Sequence, residues 1–180
     1  ETRGALMQAV IAHVREVASA HFPDVMEATH AEWWAHCRTH SSGHQMHFDS
    51  DDEGRGGVRN PIISTVIYLS QEQLGGPTLV TNQEVSDTVM AERGWMVFPK
   101  LNRLCAFNGK LLHCVVPGRG HHPEAASGLR TTLMIAFWKG LNTRPYNPEC
   151  PGASQQMPTV EESPHAWPRL LELNGNLNGN

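Results

Sequence analysis

Three things are missing from this sequence: a CxxC pair, a long apolar run and a surplus of positive charge. Each absence removes a class of protein. The four cysteines, Cys37, Cys105, Cys114 and Cys150, are widely spaced, which argues against a zinc ribbon, a thioredoxin-type motif or a secreted disulfide framework. No apolar run approaches the roughly 18–20 residues of a membrane span. The formal net charge of −4 provides no broad field for DNA or RNA, so only a small basic groove could serve nucleic acid. No solenoid-length repeat is present. The chain opens on Glu1 rather than Met, so a trimmed domain or processed form is expected, with any targeting signal out of view. Compartment and oligomeric state leave no signature.

What is there describes one globular, turn-rich domain. Apolar residues make up 39% of the 180, charged residues only 18%, and 16 glycines and 12 prolines punctuate the chain. In residues 3–21, Leu6, Ala9, Val10, His13, Val14, Val17 and Ala18 recur at helical spacing, which predicts an amphipathic helix closed by Phe22-Pro23-Asp24. Residues 25–38 read as a second helix, with Trp33 and Trp34 as its apolar surface. Residues 1–40 are thus expected to be supporting helices.

After Gly43 short apolar runs alternate with turn signals. Strands are expected at 44–49, 62–69, 77–81, 94–98, 103–107, 111–116 and 129–138. Asn108-Gly109 is the strongest hairpin signal. On that hairpin Cys105 and Cys114 would lie opposite each other, so either a disulfide or two free thiols is expected there. Residues 141–180, ending in "LNGNLNGN", read as an irregular tail. The fold class is mostly β: a double sheet over residues 41–140 with helices packed on one face.

Histidine is the outlier, at 11 residues. Two imidazoles and three carboxylates of Asp crowd into "HQMHFDSDDEG" at 44–54. His47 and Asp49 are two apart, so on a strand both leave one face, ~7 Å apart at the backbone. His44 is three residues before His47 and by the same parity leaves the other face, so it reads as a non-ligand. His113, inside the apolar "LLHCVVPG", is the candidate third ligand, although a lone strand histidine is usually a core residue. Two imidazoles and one carboxylate leave positions open on a metal and suit non-haem Fe(II), whereas structural zinc is closed by four ligands.

Arg130 and Thr132 share one face of the last strand. Arginine presents a rigid fork that takes a carboxylate in two parallel hydrogen bonds, and burying it unpaired is costly. The bland alternative is a structural salt bridge. The acidic run Asp51-Asp52-Glu53 reads as a solvated lid face, otherwise as a contact for a basic substrate. His121 and His122 read as surface residues.

Four features in order, His47-Phe48-Asp49, "GGPTLV" at 75–80, "RLCAFNGKLLHCVVPG" around His113 and "GLRTTLMIAFW" around Arg130, resemble the Fe(II)/2-oxoglutarate-dependent dioxygenases, particularly the prolyl 4-hydroxylase-like group. The resemblance covers about residues 40–140 and implies a double-stranded β-helix (jelly roll). It implies that His47, Asp49 and His113 bind iron and carry catalysis, and that Arg130 holds the distal carboxylate of 2-oxoglutarate. Tyr68 would also reach that carboxylate, or be a plain strand aromatic; Thr132 is a further contact. The implied reaction consumes O2, with ascorbate as an accessory reductant, and releases succinate and CO2 while hydroxylating an unactivated C–H. The substrate would be a peptidyl proline, another protein side chain or a small molecule. The loop "RGHHPEAASG" is longer than in the prolyl hydroxylases.

Asp49 favours hydroxylation over halogenation, because related halogenases lack that carboxylate. Nucleic-acid demethylases share the triad and the 17-residue gap to an Arg, but usually carry a second Arg where this chain has Ala136. A cupin-like binding module without turnover is the alternative from another class. Its clustered histidines are missing, and it gives Arg130 no role. A dead paralogue would not be expected to keep the whole triad.

Overall fold

The computed structural model describes residues 2–51, 58–70, 74–119 and 128–140. The expected tail, the loop histidines His121 and His122, Asp52, Glu53 and Cys150 lie outside the described residues. Helix α1 spans Thr2–Ser19 and is followed by a 3-10 turn, Pro23–Glu27. Eight strands follow: β1 His30–Arg38, β2 His44–His47, β3 Ile63–Tyr68, β4 Thr78–Glu84, β5 Gly94–Val97, β6 Leu104–Asn108, β7 Leu111–Val115 and β8 Arg130–Trp138. They form two four-stranded antiparallel sheets ordered β1-β8-β3-β6 and β2-β7-β4-β5. Apart from the β4–β5 hairpin, sequential strands alternate between sheets in a jelly roll, the double-stranded β-helix expected from the sequence.

Alternation along the strands divides two cores. Outward residues Ile63 of β3 and Leu133, Ile135 and Phe137 of β8 pack against Ile11, Val14 and Ala18 of α1. Inward residues Val66, Tyr68, Val80, Cys105 and Phe107 pack between the sheets. The buried helical stripe keeps the expected Ala9, Val10, Val14 and Ala18 but is rotated at its edges: Leu6 is 61% and Val17 45% exposed, while Met7 and Ile11 turn inward. Arg15 fixes the helix to the turn by donating from Nε to the Val25 carbonyl (3.2 Å) and from Nη2 to those of Met26 and Ala28.

The second helix expected over 25–38 is not formed. After the 3-10 turn the chain becomes β1, which pairs with β8 over its full length from His30↔Trp138 to Arg38↔Arg130. The sheet therefore begins at residue 30, inside the segment assigned to supporting helices. Trp33 and Trp34 do not form one apolar surface: Trp33 points out and is 50% exposed, whereas Trp34 lines an internal cavity. A short run without clear periodicity takes its structure from the partner available to it, and that partner lies a hundred residues later.

Asn108-Gly109-Lys110 does turn the chain, with the Lys110 amide donating to Asn108 Oδ1 (3.0 Å). Yet it joins two sheets instead of closing a ladder, because β6 pairs with β3 while β7 pairs with β2 and β4. Cys105 and Cys114 are consequently not cross-strand partners, and both are free and buried. Burial pushes the Cys105 thiol up to about 11. Brief treatment of the native protein with iodoacetamide at pH 8 should label exposed Cys37 and leave Cys105 unmodified by peptide mass spectrometry. Equal labelling of the two would mean that the space between the sheets opens readily.

Candidate metal centre

The two sheets enclose a cavity of about 170 Å³. At it, β2 and β7 set His47 directly across from His113, and Asp49 follows two residues after His47. Asp49 Oδ1 lies 3.6 Å from His47 Nε2 and 3.7 Å from His113 Nε2. One ligand atom from each of the three residues falls within 4.8 Å of the others. Each imidazole is oriented by its other nitrogen: His47 Nδ1 donates to the Gln45 carbonyl and His113 Nδ1 to the Leu111 carbonyl, both at 2.9 Å. A carbonyl can only accept, so both Nε2 lone pairs face the centre, the arrangement that metal-binding histidines need.

Asp49 is positioned by two contacts that sequence reading missed. Ser64 Oγ donates to Asp49 Oδ2 at 2.5 Å, and Asn60 Nδ2 donates to the Asp49 carbonyl at 2.6 Å. Burial alone would raise the Asp49 carboxyl, but the His47 and His113 imidazoles and the Ser64 hydroxyl together hold it below its ordinary value. The hydrogen bond that His47 can donate to Asp49 raises His47, whereas burial lowers His113. At neutral pH the centre thus holds an ionised carboxylate beside a neutral His113, as cation binding requires.

The same cavity takes Arg130 and Thr132 from β8, and both are 3% exposed. Arg130 Nε has no hydrogen-bond partner, and no carboxylate among the described residues pairs with its guanidinium. The structural salt bridge considered for it is therefore not seen among those residues. Its charge is desolvated, and burial lowers its pKa. Room for the side chain comes from Gly75, whose φ is +89° and where an added Cβ would sit 2.3 Å from Arg130 Cδ. That contact accounts for the first glycine of "GGPTLV". Gly75→Ala should both strain the backbone, at a cost of about 1–3 kcal/mol, and push Arg130 off its position. Thermal melting reads the first effect and 2-oxoglutarate calorimetry the second; an unchanged melting temperature would refute the strain.

Tyr68 is fully buried behind this wall. Its hydroxyl sits 2.7 Å from Thr78 Oγ1 and 3.0 Å from the Val97 carbonyl, and its ring centroid lies 5.6 Å from Arg130 Cζ. Thr78, not Tyr68, lines the cavity. Sequence reading had assigned Thr78 no role.

His44 is a second correction. Parity placed it on the face opposite His47, but β2 carries a bulge: His44 pairs with Val115 and His47 with His113, so Gln45 and Met46 together oppose Cys114. Both rings therefore turn to the cavity, with centroids 4.7 Å apart. His44 still stands outside the three-residue ligand group, and its Nδ1 accepts from Arg38 Nη2 at 2.8 Å. Asp51 is not a solvated lid residue: its side chain is 3% exposed and pairs with Arg59 Nε at 3.2 Å.

No family model matches the chain, and no curated protein matches it. Among solved structures, it overlays on a prolyl-4-hydroxylase of Pseudomonas putida with a TM-score of 0.46 and 18% identity, over 74% of this chain. The chain spans 65% of that protein's length. No helix among the described residues is long and apolar enough to cross a membrane.

Proposed function

We propose that this chain is an Fe(II)- and 2-oxoglutarate-dependent dioxygenase that hydroxylates an unactivated C–H bond, consumes O2 and releases succinate and CO2. One observation carries the reading. A His47–Asp49–His113 group with its ligand atoms converged shares a single cavity with a buried Arg130 whose Nε is unpartnered and which meets no carboxylate among the described residues. The donor set fits a ferrous ion: two imidazoles and one carboxylate would leave coordination positions for a chelating co-substrate and O2. The orphaned guanidinium fits the far carboxylate of 2-oxoglutarate.

The metal and 2-oxoglutarate, when bound, supply the oxidising chemistry that breaks the C–H bond. The chain supplies placement. His47 and His113 present Nε2 because backbone carbonyls hold their other nitrogens. Asp49 stays ionised and is held by Ser64. Arg130 donates to the co-substrate carboxylate, with the Thr78 and Thr132 hydroxyls as further partners on the same wall. Tyr68 acts from behind by orienting Thr78. Val66, Phe107 and Met134 keep water from that end of the cavity. Because Asp49 occupies a metal position, hydroxylation is the expected outcome and halide has no vacant place.

Succinate formation from 2-oxoglutarate under air, with Fe(II) and ascorbate, tests the reading even without the substrate. Slow uncoupled turnover by the wild type is expected. A protein that binds Fe(II) yet never converts 2-oxoglutarate would instead be a binding module.

A further inference from the structure

We propose that the substrate of this site is a small molecule bearing one free carboxylate, held by Arg38 and His36 of β1 beside the indole of Trp34. This rests on the oxygenase reading and narrows its substrate class. Trp34, His36 and Arg38 alternate along β1, and all three line the cavity. None has a part in holding the metal or 2-oxoglutarate. The strand was not expected to be a strand at all, so this wall was invisible in the sequence.

The case is one of charge. Arg38 stands directly across from Arg130 in the β1–β8 register. Like charges at such a position repel, and no carboxylate among the described residues pairs with either. Among the described residues the hydrogen-bond partners of Arg38 are neutral: Nη1 donates to the Gly43 carbonyl at 3.2 Å and Nη2 to His44 Nδ1 at 2.8 Å. They aim the guanidinium without cancelling its charge, and three of its five N–H groups have no partner among the described residues and can serve a ligand. His36 stacks on His44 with centroids 5.6 Å apart, and His44 in turn meets the ring of His47. The Arg38 head is thus one imidazole removed from the metal ligand His47.

With metal and co-substrate in place the charges pair off. The divalent ion is balanced by the dianionic 2-oxoglutarate, and Arg130 by Asp49, the one carboxylate lining the cavity among the described residues. Arg38 is left over, which calls for a single negative charge on the substrate. A prolyl residue inside a polypeptide offers none, and a phosphate monoester carries nearly two. A monocarboxylate fits, its acid group at Arg38 and its reacting carbon toward the metal.

The test is calorimetry on the full chain loaded with Mn(II) and saturated with 2-oxoglutarate in the absence of oxygen. The probes are N-acetyl-L-proline, N-acetyl-L-leucine and 3-phenylpropanoate, each beside its methyl ester. At least one acid should bind about tenfold or more tightly than its ester, as a charge-assisted hydrogen bond requires. Arg38→Gln should abolish that preference, Arg38→Lys should keep part of it, and 2-oxoglutarate should bind both variants as it binds the wild type. Equal binding of acids and esters by the wild type overturns the proposal without any variant. So does a loss of 2-oxoglutarate affinity in Arg38→Gln as large as that in Arg130→Gln, which would make Arg38 a second anchor for the co-substrate. If 2-oxoglutarate fails to bind the wild type, the oxygenase reading falls and this inference with it; loss of the acid preference alone removes only the inference.

Discussion

His113→Ala will lose divalent metal binding and all conversion of 2-oxoglutarate to succinate. Removing even an outer partner of a metal ligand costs about 10- to 100-fold in affinity, and deleting a ligand should exceed that. Two residues, His47 and Asp49, would remain, at neighbouring positions on one short segment. They fix no third direction, so the ion has no defined seat. His44 cannot take over: its ring is 4.7 Å from that of His47, but its Nδ1 is held by Arg38. Accordingly His44→Ala should keep its Mn(II) affinity while His113→Ala does not. Calorimetric titration of both variants, with circular dichroism to verify folding, decides the matter. Retention of metal affinity by His113→Ala within about threefold, well under the cost of an outer-sphere loss, would remove His113 from the centre and overturn the proposed function.

Arg130→Met should act in opposite directions on binding and on stability. In the ligand-free protein Arg130 is a buried cation with an unpaired Nε, 3% exposed, beside a second cation on the neighbouring strand. Desolvating a charge without a partner is expensive, and an apolar residue of similar length removes that cost. The variant's melting temperature should therefore rise. Its affinity for 2-oxoglutarate should fall by about 2–5 kcal/mol, or about 30- to 5,000-fold in Kd, the cost of truncating one side of a buried charge pair. A structural role would give the reverse: lower stability with no specific effect on the co-substrate. Melting curves with and without 2-oxoglutarate measure both quantities, and a variant less stable than the wild type would contradict a ligand-holding role. Such a stability penalty, tolerated at a site that uses it, is expected of function.

The sequence carried the strands from 44 onward because their signals are local. Apolar runs such as "IISTVIYL" and "LRTTLMIAFW", bounded by Gly, Asn and Pro, need no knowledge of their partners, and each expected strand formed within a few residues of its expected bounds. The order of His47, Asp49, His113 and Arg130 was legible for the same reason, since spacing along a strand fixes the face from which a side chain leaves.

What stayed hidden depended on pairing. His30–Arg38 carries no decisive period, and only alignment with β8 makes it a strand and brings Arg38 across from Arg130. The bulge in β2 overrode parity and turned His44 into the cavity, because one extra residue in a ladder reverses the face of everything before it. Ser64 and Thr78 are unremarkable hydroxyls until the two sheets close over them. Composition and local pattern thus determined that there would be a β-rich domain with metal-binding and anion-binding side chains in a set order. Only the tertiary structure decided which of those side chains meet, since contacts between distant strands are set by register and sheet order, and neither is written in any short stretch of chain.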